Sequence, residues 1–183
     1  MLSAKVEQQV RLWLDQFVVG LNLCPFARPL LGGETLRIVI CEQTGRKALH
    51  EAFLTELDML YSTAQTEVAT TLLVFPLALE KFSDYLSFLH VSEDTVNEAG
   101  LAGIVQLASF HPDYVFAGED SASASHYSNR SPYPLIHLLR EDMVSAAVAD
   151  YPQPERIPAR NIEALEKIGN RELARRWQAL FSE

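Results

Sequence analysis

Three short runs of aliphatic and β-branched residues constrain this chain more than anything else in it: residues 36–41 (LRIVIC), 70–75 (TTLLVF) and 104–110 (IVQLASF). Each has strand length and is bounded by turn-forming or polar residues, which is how a strand buried on both faces reads. Between them, apolar residues recur at helical spacing. Leu49, Ala52, Phe53, Leu57 and Leu60 follow the first run, with Glu56 on the same face, and Phe82, Tyr85, Leu86 and Leu89 follow the second. Strand, helix, strand, helix, strand makes two successive crossover units, and these require a sheet with a parallel portion covered by helices. The expected fold is α/β, a small, partly parallel sheet of three to four strands packed with about six helices. A two-layer α+β sandwich is the alternative.

The flanking segments extend this frame. Ser3 suits an N-cap, and Val6, Val10, Trp13, Leu14, Phe17 and Leu21 mark a helix that Gly20 and Pro25 end. A short fourth strand is expected over residues 114–117. Residues 118–128, rich in Ser and Ala, read as a mobile loop or lid. Ser131 and Pro132 read as the N-cap and first position of a helix reaching about residue 149, with an apolar arc of Ile136, Leu139, Met143 and Ala146. After the connector at residues 151–154, Pro158 opens a helix carrying Ile162, Leu165 and Ile168. Gly169 and Asn170 interrupt it before Leu173, Trp177 and Leu180. The length of 183 residues fits one domain, 1–183, with a sizeable core.

Charge and cysteine usage narrow the function classes. The net charge of −9 argues against a nucleic-acid partner, and the arginines after Pro154 are interleaved with acids as on a solvated helix face. Cys24 and Cys41 form no paired metal or redox spacing, which suits a reducing compartment. The amphipathic N-terminus is not a secretion signal, and no window is apolar enough to span a membrane. The expectation is a cytoplasmic protein without nucleic-acid or membrane partners, its oligomeric state left open. No glycine-rich phosphate loop, dinucleotide fingerprint, G-x-S-x-G elbow or H-E-x-x-H is present, and no cofactor is expected.

The chemistry concentrates in residues 110–141 (FHPDYVFAGEDSASASHYSNRSPYPLIHLLRE), which hold three of the five histidines. The start of this stretch falls on a strand-end loop, where sheets of this kind usually bind ligands. His111 and His137 are candidate acid–base groups, since imidazole titrates near neutrality. Asp113 lies where it can orient His111, and Asn129 is a candidate donor to a carbonyl or oxyanion. Arg130 and Arg140 offer planar forks for a carboxylate or phosphate, with Ser131 and its helix start as a further anion site. Tyr114 belongs to the same set, as do Arg160 and Asn161 at a second helix start. His137 and Glu141, four apart on the expected helix, together with His111 and Asp113 form the alternative of a divalent-metal site. Cys24, forced out of helical geometry by Pro25, is a candidate nucleophile. His50 and His90 read as surface or boundary residues on helices, His126 as a solvated loop residue and Cys41 as packing.

Five blocks carry a family resemblance: GLNLCPFA (20–27), TTLLVFP (70–76), ASFHPDYVFAG (108–118), NRSPYPLIHLLRE (129–141) and ARNIEALEKIG (159–169). They resemble the family called domain of unknown function 1415, found in bacteria with plant relatives. The resemblance spans nearly the whole chain and implies a self-contained single domain; it transfers no activity. Its motif positions here are Cys24, Pro25, Phe26, His111, Pro112, Tyr114, Asn129, Arg130, Ser131, Pro132, His137, Arg140, Arg160 and Asn161. The functional expectation is an enzyme that binds a small anionic metabolite and acts on it by His/Arg/Asn acid–base chemistry. The alternatives are a non-catalytic ligand-binding or interaction module and a divalent-metal-dependent enzyme.

Overall fold

The computed structural model describes residues 2–182. Among these residues seven α-helices surround one four-stranded sheet. They are α1 (Leu2–Trp13), α2 (Ala27–Leu31), α3 (Arg46–Ser62), α4 (Phe82–Glu98), α5 (Glu141–Ala149), α6 (Ile157–Ile168) and α7 (Asn170–Ala179). The strands are β1 (Leu36–Ile40), β2 (Thr70–Val74), β3 (Val105–Phe110) and β4 (Leu135–Arg140), in spatial order β1-β2-β4-β3. β1 and β2 run parallel, and β4 is antiparallel to both neighbours, β2 and β3. The fold is α/β with a mixed, partly parallel sheet, as the strand and helix periodicities require.

Alternation along the strands divides the core in two. Leu73, Phe75, Ile136 and Leu138 face α3 and α4 in one apolar cluster with Leu49, Phe53, Tyr85 and Phe88. Leu72, Val74 and Leu135 face the opposite way and pack against Val6, Val10, Trp13 and Phe17, with Leu165 and Leu173 of the last two helices. No helix among the described residues is long and apolar enough to cross a membrane.

The expected helix from Ser131 to residue 149 is instead a strand followed by a helix. Residues 135–140 (LIHLLR) form the inner strand β4, and α5 begins only at Glu141. A strand covered on both faces is apolar at nearly every position, so it loses the alternation that separates strand from helix. Ser131 caps nothing: it is fully buried, and its hydroxyl donates to the Tyr133 carbonyl at 2.6 Å. Residues 114–117 form no strand. The expected lid contains a 3₁₀ turn, Ala124–Ser128, folded around a fully buried His126. The His126 Nδ1 accepts the Phe116 amide at 3.3 Å and its Nε2 donates to the Asp120 carbonyl at 2.8 Å.

At its carboxyl end α1 widens into a π-helical segment, Leu14–Val19. The Gly20 amide donates to the Asp15 carbonyl, five residues back, at 2.8 Å. A Cβ on Gly20 would lie 2.5 Å from the Gln16 carbonyl oxygen, so only glycine fits at this exit. Single π turns inside helices often accompany functional sites.

Candidate functional site

A cavity of about 410 Å³ lies between the π segment, α2, α5 and the sheet. Its walls are apolar, with Trp13, Val18, Phe26, Leu72, Phe110 and Met143 among them. Trp13 (through its indole N–H), Cys24, Thr70, Gln106, His137 and Arg140 are the lining side chains that carry polar atoms. Leu36 and Thr70 are the first residues of β1 and β2 and Gln106 the second of β3, so the cavity covers the amino ends of these strands and extends along β3 to Phe110. The strand-end loops expected to hold the site lie at the other end of the sheet.

His137 lies in the middle of β4, opposite Leu72 on β2 and Ala108 on β3. Its place on a strand is what turns its ring onto the cavity face. The Thr70 hydroxyl donates to the Leu138 carbonyl at 2.7 Å and so has no proton left to give. Its oxygen therefore accepts from His137, whose Nε2 stands 2.6 Å away and must carry the ring proton. Nδ1 is then a bare acceptor, and it makes no hydrogen bond within the described protein. Burial, with no compensating charge, lowers the His137 pKa from the ordinary 6.5 to about 4. The imidazole is neutral throughout the physiological range.

Cys24 enters the same cavity from the loop after the π segment. Burial raises its thiol pKa, an effect partly opposed by the Phe26 and Ala27 amides, so the sulfur stays protonated. Two residues of α6 hold this loop. Arg160 donates to the Asn22 carbonyl at 3.2 Å and Asn161 to the Leu23 carbonyl at 2.7 Å. Arg160 also donates to the Tyr151 hydroxyl at 2.6 Å, and Phe26 packs edge-on to the Tyr151 ring. Asn22 takes a left-handed backbone (φ 53°), which Asn tolerates better than most residues.

The other residues that the sequence singles out do not converge on this cavity. His111 is inaccessible, at the far end of the sheet. Its Nδ1 accepts the Asp113 amide at 3.0 Å, and its Nε2 donates to the Leu79 carbonyl at 3.0 Å. The ring packs between Phe82 and Tyr85, and burial lowers its pKa. Tyr114 packs on Phe82 and Phe116. Asn129 donates to the Ser109 carbonyl at 3.0 Å and accepts from the Ser128 hydroxyl. The Arg130 guanidinium sits 4.7 Å from the Tyr127 ring centre. Arg140 borders the cavity, but its fork is held by main chain: Nη2 donates to the Thr63 and Val68 carbonyls at 2.6 and 3.0 Å, and Nε to Val68 at 3.2 Å. Glu141 opens α5, and Asp113 is exposed. Among the described residues no group of three or more His, Cys, Asp or Glu side chains is arranged to hold a metal ion.

Sequence reasoning passed over Thr70 and the apolar wall. The sequence hint for Thr70 is its parity with Leu72 and Val74, which places a hydroxyl on a face otherwise apolar. For Trp13, Val18 or Phe110 there is no such hint, because a cavity wall and a packed core have the same composition.

Fold and cavity together define the class: an α/β protein whose sheet is helix-covered on both faces, with a mainly apolar chamber beside its first helix. The chain belongs to the family described as Protein of unknown function (DUF1415), whose profile matches residues 5–175 and so contains all five motif blocks. No curated protein and no solved structure matches it.

Proposed function

We propose that this protein binds a small, largely apolar, uncharged molecule that presents one hydrogen-bond donor to His137. The observation that carries the reading is the bare Nδ1 of His137 in an apolar chamber. An unsatisfied acceptor in such a place costs free energy until a ligand donor or a water meets it. The volume of about 410 Å³ falls within the usual range of small-molecule pockets, about 300–1,000 Å³. The fixed tautomer selects hydroxyl, amide or ring N–H groups over carboxylates and phosphates. An anionic ligand has less support, because Nε and Nη2 of Arg140 already donate to two carbonyls and Arg130 is not part of the lining. Binding is favoured over acid–base turnover, since a base with a pKa of about 4 gives little driving force for proton abstraction at pH 7.

A matched pair of probes tests this. Indole and benzothiophene have nearly the same shape, and only indole has an N–H donor. Indole, or 2-naphthol against naphthalene, is expected to raise the melting temperature, since a ligand of the native state stabilises it. The donor-free partners should do so far less, and His137→Phe should remove the difference. Equal response to both members of each pair, or no response to any donor-bearing probe, overturns the reading.

A further inference from the structure

A second cavity, of about 560 Å³, lies against the first. Val18, Cys24 and Phe110 line both, so the two cavities meet at these three side chains. The second is bounded by the 3₁₀ turn, the start of α6 and the loop after β3, and its polar groups differ in kind from those of the first. The Asn161 amide gives one N–H to the Leu23 carbonyl, and its Oδ1 has no partner in the protein. Asn129 likewise spends one N–H on Ser109 and keeps the other. Glu119 stands exposed at the rim, and no Lys, Arg or His is part of the lining.

We propose that the two cavities are halves of one site for an elongated amphipathic molecule. Its apolar body, with a donor on His137, fills the first cavity. Its polar end, neutral or cationic, passes Cys24 and Phe110 into the second. This rests on the ligand reading above and deepens it by specifying the ligand's other end. The argument is one of chemistry. The first cavity presents the bare His137 acceptor in mainly apolar walls and suits an apolar body with a donor at that point. The second has amide donors and acceptors with a carboxylate at its mouth, and suits hydroxyl, amide or ammonium groups while repelling carboxylate.

The test uses indole and indoles substituted at C3 with alkyl chains of increasing length ending in hydroxyl, ammonium or carboxylate, titrated calorimetrically. Hydroxyl- or ammonium-tailed indoles of the best length should bind at least about tenfold tighter than indole, and the carboxylate no tighter. Ala117→Trp, at an exposed position lining only the second cavity, should abolish the gain from the tail and leave indole's affinity within about twofold. Glu119→Lys should reverse the preference between ammonium and carboxylate. The tailed ligands should also protect Cys24 from N-ethylmaleimide. If indole binds with its donor preference but no tail improves affinity, or the gain survives Ala117→Trp, the two-cavity site is wrong and the His137 pocket stands. If no donor-bearing probe binds, both fall together.

Discussion

The Nε2 of His137 lies 2.6 Å from the Thr70 hydroxyl oxygen, and the Leu138 carbonyl takes that hydroxyl's only proton. Thr70 therefore sets the tautomer of a histidine on the neighbouring strand. Thr70→Val keeps the shape but leaves the imidazole N–H without its acceptor and removes the hydroxyl's bond to the Leu138 carbonyl. Thr70 is buried, so the loss should be about 1–3 kcal/mol in urea unfolding. Thr70→Ser should recover most of it. A Val variant as stable as the parent would show that this chain of hydrogen bonds does not hold the ring.

His137 also makes stability depend on pH. In the unfolded chain it titrates near 6.5, and in the folded protein near 4. Between these values the unfolded state binds the extra proton, so stability rises with pH across the window. The contribution is complete above about pH 6.5 and is lost as pH falls toward 4, roughly 3 kcal/mol in all. His111, whose pKa is also lowered by burial, adds an effect of the same sign. Glu172 is held down to about 2 by Arg175 and Arg176, and so acts mainly at lower pH. Urea midpoints from pH 7.5 to 4.5 should fall more steeply for the parent than for His137→Phe, and parallel slopes would refute the assignment.

The sequence was most legible where one physical rule governs a segment. β1, α3, β2 and α4 follow from strand-length apolar runs alternating with helical periodicity. β4 was not legible, because Leu135, Ile136, Leu138 and Leu139 belong to a strand covered on both faces and satisfy a helical pattern equally well. That one ambiguity moved His137 and Arg140 off their expected helix face. The polar motif residues were found, but hydrogen-bond satisfaction cannot be read from type and spacing. His111, Asn129 and Arg140 look like chemistry in the sequence and act in the fold as partners for buried main chain. His126 looked solvated because its neighbours are Ser and Ala, yet two backbone bonds pay for its burial.

Arg140 ties the end of β4 to the segment between α3 and β2. Its three charge-assisted bonds reach carbonyls of Thr63 and Val68. Arg140→Met keeps much of the stem and removes the fork; the expected cost is about 2–3 kcal/mol. Arg140→Lys should recover only part of this, because one ammonium cannot reproduce the planar geometry. Were Arg140 an anion clamp, both variants would lose phosphate or carboxylate affinity at little cost in stability, so denaturation alongside anion titration separates the two roles.

His126 organises the segment over residues 116–128 by bonding at both ring nitrogens. His126→Leu keeps bulk and removes both bonds. Amide hydrogen exchange should accelerate at Phe116, whose N–H loses its acceptor, while amides of β2 and β4 keep their protection. The global unfolding free energy should drop by about 1–3 kcal/mol. Unchanged exchange at Phe116 would mean that the segment is held by other contacts.

Gly20 links the π segment to the cavity. Its missing side chain lets the helix end on a bond to Asp15 and turn into the Cys24 loop, while Val18 and Val19 line the chamber. In Gly20→Ala the new Cβ would meet the carbonyl oxygens of Gln16 and Asp15 at 2.5 and 2.8 Å. These are backbone atoms and cannot rotate away, so the π turn itself must rearrange. Overpacking of this kind costs about 1–3 kcal/mol, and the rearrangement would shift Val18, Val19 and the Asn22–Leu23 carbonyls that Arg160 and Asn161 grip. Two readouts should therefore change together: the urea midpoint should fall, and N-ethylmaleimide should react faster with Cys24 than in the parent. An alanine variant with parental stability and parental Cys24 reactivity would show that the π turn does not shape the chamber.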